Sequence, residues 1–194
     1  MRVLETPLSR EDAAELRAGE LVALTGTIFT ARDRAYKRVG EKGVAGLPRC
    51  FKGGAIFHCG PIVRRRGDDW QVVAAGPTTS ARMDGALPAF MRVAAPSLVI
   101  GKGGVSKEAA DILVKNGCPY LSMTGGVAAL AASMVRQARG PFWRDLGDAE
   151  AVWEFDVERF GPLVVAVDAR GGNLFKTAEA LSEKAARRIL DGFA

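Results

Sequence analysis

Ser97–Met123, SLVIGKGGVSKEAADILVKNGCPYLSM, decides the fold class. Ser97 to Ile100 is a short apolar run of the kind that forms a buried strand. Glycines interrupt it at Gly101, Gly103 and Gly104. Ser106 then stands where an N-cap accepts from the first free N–H groups of a helix, with Ile112 and Leu113 turned inward. Gly117 supplies the terminator after Asn116, and Pro119 to Met123 returns as strand. Strand, helix and strand in this order predict a βαβ unit and an α/β fold.

Working outward, Arg2 to Thr6 predicts a first strand, and Ser9 caps a short helix whose first turn holds Glu11 and Asp12. Leu21 to Thr30 alternates and is rich in β-branched residues, so it predicts a strand that gives way to a polar helix through Arg38. Gly54 to Cys59 and Gln71 to Ala75 predict two strands paired antiparallel across the turn Arg64 to Asp69. Ser80 to Val93 predicts a helix with a break or kink at Pro88. Thr124-Gly125-Gly126 opens a small apolar helix, Val127 to Val135. Short strands are expected around Phe142-Trp143-Arg144 and from Ala151 to Phe155, a longer one from Leu163 to Val167, and an amphipathic helix from Thr177 to Leu190. Hairpins beside βαβ units predict a mixed sheet with flanking helices, in a single domain over residues 1–194.

Two polar loops follow apolar runs: Gly76-Pro77-Thr78-Thr79-Ser80-Ala81-Arg82-Met83-Asp84 and Ile100-Gly101-Lys102-Gly103-Gly104. Their glycines permit close backbone approach, and a helix opening at Ser80 would aim free N–H groups and its dipole at an anion. Arg82 adds a planar fork for a carboxylate and Lys102 a mobile point charge. Each loop alone reads equally as a plain turn. Together with Arg32, at the end of the Leu21–Thr30 run, they predict an anion site at neighbouring strand ends, where open α/β sheets bind ligands.

Composition bounds the rest. A chain of 194 residues, 48% hydrophobic, can bury a full core. No apolar stretch reaches the roughly 18 residues of a membrane-spanning helix, and the N-terminus lacks a signal-peptide pattern. A cytoplasmic protein that binds no membrane is expected. Cys50, Cys59 and Cys118 have no metal-ligand spacing and are expected as buried free thiols, and His58, the single histidine, as a satisfied structural residue. The net charge of +5 includes Arg64-Arg65-Arg66, but Asp68 and Asp69 follow at once and aromatics make up only 7%, which argues against nucleic-acid binding. Neither a GxxxxGK[ST] loop nor a GxGxxG turn is present. The residues alone reach a carboxylate-binding face with a threonine as candidate proton-transfer group.

Several ordered segments carry a resemblance: Gly26-Thr27-Ile28-Phe29-Thr30-Ala31-Arg32-Asp33, Gly60-Pro61, Ala75 to Asp84, Ile100-Gly101-Lys102-Gly103, Thr124-Gly125-Gly126 and Val167-Asp168-Ala169-Arg170-Gly171-Gly172-Asn173-Leu174. They resemble the β subunit of class I fumarases and L-tartrate dehydratases, which also forms the C-terminal domain of single-chain class I fumarases. The resemblance implies a swivelling β/β/α domain and one half of a hydro-lyase that hydrates or dehydrates a small dicarboxylate. It implies a four-iron four-sulfur cluster held by a partner α subunit, a hetero-oligomer, and inactivity of this chain alone. Fumarate to malate is the expected reaction, with tartrate dehydration or a non-catalytic carboxylate-binding module as alternatives.

By motif, the resemblance places the family's substrate-binding arginines on Arg32 and Arg82, its lysine on Lys102 and its proposed base on Thr78. A threonine hydroxyl serves as a base only where a cationic, water-poor site stabilises its alkoxide, which Arg82 and Lys102 are placed to do. One departure stands out: the family commonly carries a histidine where this chain has Tyr36. A phenol donor in its place, a changed substrate and an altered surround all remain open readings.

Overall fold

Leu21–Thr30 forms β2, the strand on which the sheet is built, and it is paired along both edges. One edge receives β1 (Arg2–Thr6) in parallel, from Arg2↔Val22 to Thr6↔Gly26, and then β3 (Ala55–Phe57), also parallel, from Ile28↔Ala55 to Thr30↔Phe57. The other edge receives β9 (Val152–Val167) antiparallel, from Leu21↔Val164 to Phe29↔Glu154. Between β3 and β9 lie β6 (Leu98–Gly101) and β7 (Tyr120–Ser122). The pairings therefore run β2, β3, β6, β7, β9 and back to β2, a closed circuit that leaves these strands without a free edge. The computed structural model describes residues 1–191.

The apolar runs are continuous because both faces of the strands are covered. Ile28, Ala55, Phe57, Leu98, Ile100 and Leu121 point to one core, which Phe155, Phe160 and Val165 of β9 complete. Phe29, Ile56, Val99 and Tyr120 point the other way, beneath α2 (Asp33–Lys42), α3 (Leu87–Ala94) and α4 (Lys107–Lys115). Neighbouring positions alternate between the two cores, as a period of two requires. The sheet is mixed and carries helices on its outer face.

Several predicted elements hold. β1 and β2 have the predicted bounds, α1 (Arg10–Glu15) starts on Ser9, which accepts from Asp12 N–H, and α4 starts on Ser106, which accepts from Ala109 N–H. Others are corrected. β3 does not pair with the strand near Gln71. Gly60-Pro61 ends β3, and Arg64-Arg65-Arg66 belongs to a new strand, β4 (Ile62–Arg66), which forms a hairpin with β5 (Asp69–Ala74) around Gly67 at φ +63°. The predicted helix from Ser80 is broken just ahead of Pro88, into a 3₁₀ turn, Ser80–Met83, and α3, whose first turn Pro88 occupies, where its missing N–H costs nothing.

The runs Ala151–Phe155 and Leu163–Val167 are parts of one strand, β9, which changes partner along its length. Its first part pairs with β8 (Val135–Phe142), which ends where a short strand around Phe142-Trp143-Arg144 is expected; charged residues and Gly140-Pro141 hide its pattern, and Arg144 opens a 3₁₀ turn instead. α5 is shorter than predicted, Ala128–Ser133. α6 (Leu174–Asp191) matches the predicted C-terminal helix, but Leu181, Ile189 and Leu190 are more than 60% exposed. Among the described residues no helix is long and apolar enough to cross a membrane.

Candidate functional site

β3 and β6 run side by side as far as Phe57↔Ile100, and His58 N–H still reaches Ile100 O at 2.8 Å. Beyond that point they part, and the segment Pro77–Ser80 enters between them. Pro77 lies opposite Cys59. Thr78 N–H donates to His58 O at 2.7 Å, Lys102 N–H donates to Thr78 O at 3.2 Å, and Ser80 N–H donates to Lys102 O at 3.0 Å. Thr78 and Lys102 are thus neighbours across a backbone hydrogen bond. Asp84 Oδ2 accepts Ser106 N–H at 2.7 Å, tying the far end of the first loop to the start of α4.

Glycines shape the floor. A Cβ at Gly125 would lie 3.1 Å from Lys102 Cδ, so its absence lets the lysine stem cross the β7–α5 turn. A Cβ at Gly60 would lie 2.5 Å from Arg32 Nη1 and 2.7 Å from Ala149 O, so that glycine makes room for the guanidinium at the end of β2.

The arginines converge on one carboxylate. Arg32 Nη2 is 3.7 Å and Arg82 Nη2 3.2 Å from Asp33 Oδ2, and Arg32 Nη2 is also 3.4 Å from Glu150 Oε1. Arg32 Nε and Asp33 Oδ2 are buried without a hydrogen-bond partner. A buried donor left unmade costs about 1–3 kcal/mol. Among the described residues Lys102 forms no ion pair. Arg32 therefore sits at the end of β2 and Lys102 just after β6, whereas Thr78 and Arg82 lie in the segment that follows β5; Asp33 joins the two arginines, and a backbone hydrogen bond joins Thr78 to Lys102.

Behind this face runs a buried polar chain. Tyr36 Oη is 2.6 Å from His58 Nε2, His58 Nδ1 is 2.8 Å from Ser80 Oγ, Ser80 Oγ is 2.9 Å from Tyr120 Oη, and Tyr120 Oη is 2.7 Å from Gly103 O. Burial lowers the His58 pKa to about 3, so its ring is neutral, and burial pushes the Tyr36 and Tyr120 phenols well above their ordinary value. His58 is the satisfied structural histidine that its sequence context predicts. Tyr36 is fully buried with its hydroxyl on His58, facing inward.

The anion reading of Ser80 as a helix start is corrected. Ser80–Met83 is a four-residue 3₁₀ turn, and the Ser80 N–H is already bound to Lys102 O, so the turn offers no helix dipole. Gly76 likewise follows the β5 hairpin strand and not a strand of the main sheet. Sequence reasoning missed Glu150 and the bridging role of Asp33. Asp33 was visible beside Arg32; Glu150 lies in a distant turn after Gly147 and carried no local signal.

Cys59 and Cys118 are the buried thiols expected, their pKa raised by burial, but the expectation is corrected for Cys50, which is exposed. Among the described residues no group of three or more His, Cys, Asp or Glu side chains could hold a metal.

Comparison with known proteins places the chain in a family. The chain is 39% identical over 173 residues to the Escherichia coli K12 protein named L(+)-tartrate dehydratase subunit beta, covering 89% of this chain and 86% of that one. It is 40% identical over 172 residues to a Methanocaldococcus jannaschii protein given the same name provisionally, covering 87% and 88%. It is 32% identical over 177 residues to a Geobacillus stearothermophilus protein provisionally named fumarate hydratase class I, covering 91% of this chain and 34% of that one. Residues 2–178 match the sequence model of the family described as Fumarase C-terminus, and the chain belongs to that family.

Proposed function

We propose that this chain is the β subunit of a hydro-lyase that interconverts fumarate and malate, active only in complex with an α subunit that holds a four-iron four-sulfur cluster. The observation that carries the reading is a double pairing beside the strand ends: Arg32, which keeps a buried Nε without a partner, meets Arg82 at Asp33, and Thr78 meets Lys102 across a backbone hydrogen bond. The reading includes a swivelling β/β/α fold acting as one domain over residues 1–194, a hetero-oligomer and a place in the cytoplasm. The described residues of this chain do not fit the cluster, since its cysteines are scattered and two are buried as thiols. The cluster is therefore assigned to the partner, and the steps below belong to this chain.

Arg32 and Arg82 receive the substrate carboxylates, with Asp33 and Glu150 fixing where the guanidinium groups point. Lys102 lies beside Thr78 and stabilises the aci-carboxylate charge that develops as the carbon next to a carboxylate loses its proton. Thr78 Oγ1 takes that proton. The C–H electron pair, held first on the aci-carboxylate, becomes the double bond as the hydroxyl leaves the adjacent carbon; the departing hydroxide takes the proton back from Thr78 Oγ1 and is released as water, which restores the threonine alkoxide. The field of Lys102 and Arg82 favours the threonine alkoxide that this step requires.

L-tartrate is the second reading, favoured by the names of the relatives from E. coli and M. jannaschii. The deciding experiment is anaerobic turnover of fumarate, malate and L-tartrate by this chain co-expressed with its cluster-bearing partner, beside Lys102→Ala and the chain alone. Turnover confined to the complex and lost in Lys102→Ala supports the hydro-lyase and names its substrate. No turnover with an intact cluster would replace it with a non-catalytic carboxylate-binding module.

A further inference from the structure

The proton count along the buried polar chain has a single consistent solution. Gly103 O can only accept, so the one proton of Tyr120 lies on that 2.7 Å contact. The 2.9 Å contact between Tyr120 and Ser80 must then be filled by the Ser80 hydroxyl proton. Ser80 Oγ, having donated, accepts from His58 Nδ1–H at 2.8 Å. The neutral ring carries no second proton, so Nε2 accepts from Tyr36 O–H at 2.6 Å. The chain runs one way, from Tyr36 through His58, Ser80 and Tyr120 to Gly103 O, with every contact filled. The reverse tautomer would leave the Ser80–Tyr120 contact without a proton.

The backbone gives this chain its purpose. Ser80 is two residues after Thr78, and Gly103 directly follows Lys102. Ser80 Oγ enters the space over Gly101, where any Cβ would overlap it, and the Gly103 backbone is left-handed at φ +73°. Four buried side chains thus converge on the two loops that present Thr78 and Lys102, and all four are at most 2% exposed. A core needing only packing would use apolar side chains here, since each buried hydroxyl must be satisfied.

We propose that Ser80, gripped between His58 and Tyr120, is a positioning residue that holds Thr78 and Lys102 in register with one another. The proposal rests on the hydro-lyase reading for its kinetic consequence, but not for its structural one. Ser80 touches no substrate; it acts by fixing the 3.2 Å hydrogen bond between Lys102 N–H and Thr78 O and the 3.0 Å one from Ser80 N–H back to Lys102 O.

The test uses the assembled two-chain complex with Tyr120→Phe and Ser80→Ala, each alone and combined with Thr78→Ala. The expected result is a fall in kcat of about 10- to 100-fold with KM little changed, as for a misplaced catalytic group. In the Thr78→Ala background the same substitutions should cost less, because one of the two groups whose mutual register they disturb is already gone. A purely structural role would give losses that multiply in the double variants, and that result overturns the proposal, as does wild-type turnover in both single variants. Tyr120→Phe removes only a hydroxyl and keeps the ring, so it decides the matter if Ser80→Ala fails to assemble. Hydrogen exchange on the same complex separates this inference from the reaction itself. Tyr120→Phe should accelerate exchange in peptides covering residues 76–84 and 100–105 while leaving β2 unchanged. Without wild-type turnover the hydro-lyase reading falls; unchanged exchange in these loops would overturn the positioning role.

Discussion

His58 shows how one buried side chain ties stability to pH. Its folded pKa of about 3 lies below the roughly 6.5 of an exposed histidine, so the unfolded chain binds the proton that the fold excludes. Stability therefore falls as pH drops below about 6.5, by at most about 1.4 kcal/mol per pH unit. Because the chain has a single histidine, the interval between about pH 6.5 and 5 belongs to it, before carboxylates titrate. Urea unfolding of the chain at stepped pH should show that slope, and His58→Gln should flatten it; an unchanged slope in the variant would assign the proton elsewhere. Arg32 shows the other use of burial. With its Nε lacking a partner and its Nη2 steered by Glu150, the guanidinium is oriented before any ligand arrives. Glu150→Gln should weaken that orientation and raise KM for the dicarboxylate several-fold at nearly unchanged kcat in the assembled complex. A fall in kcat at constant KM would instead place Glu150 in the chemical step.

At the scale of elements, caps and register explain what could be read from the sequence and what could not. Ser9 and Ser106 announced α1 and α4 because an N-cap is a local device, and both accept the N–H three residues on. Ser106→Ala should cost about 1 kcal/mol in urea unfolding. It should also leave the Ser106 N–H bond to Asp84 intact, since that bond uses the backbone. Partner choice was not legible. β3 and the strand near Gln71 both look apolar, and only the break at Gly60-Pro61 and the turn at Gly67 decide that β5 folds back on β4 while β3 pairs with β2 and β6. β8 gave no period-two signal because it follows an edge, with Arg136 and Arg139 turned to Glu158 and Glu154. The site residues were legible one by one from their loops. The insertion of Pro77–Ser80 between two parallel strands was not, because it depends on long-range backbone pairing.

For the whole molecule, the closed circuit of β2, β3, β6, β7 and β9 holds the two cores and both site loops, whereas α6 lies outside it. Leu174 and Asn173 begin that helix against β9, and Phe175 lies over Gly104, but from Lys176 to Leu190 every residue is exposed. Leu181, Ile189 and Leu190 bury little apolar surface, so the helix adds little to the hydrophobic stabilisation of the fold. Surface changes of this kind stay within about 0.5 kcal/mol, which for a chain of this size moves the melting temperature by about 2 °C or less. A chain ending at Ala178 should therefore melt within about that interval of the full-length chain in a thermal scan. It should also keep the hydrogen-exchange protection of β2 and β9, since among the described residues neither strand draws a hydrogen bond from the deleted ones. A drop of more than about 5 °C would show that the exposed apolar residues of α6 are covered in solution, and that the helix belongs to the folded unit after all.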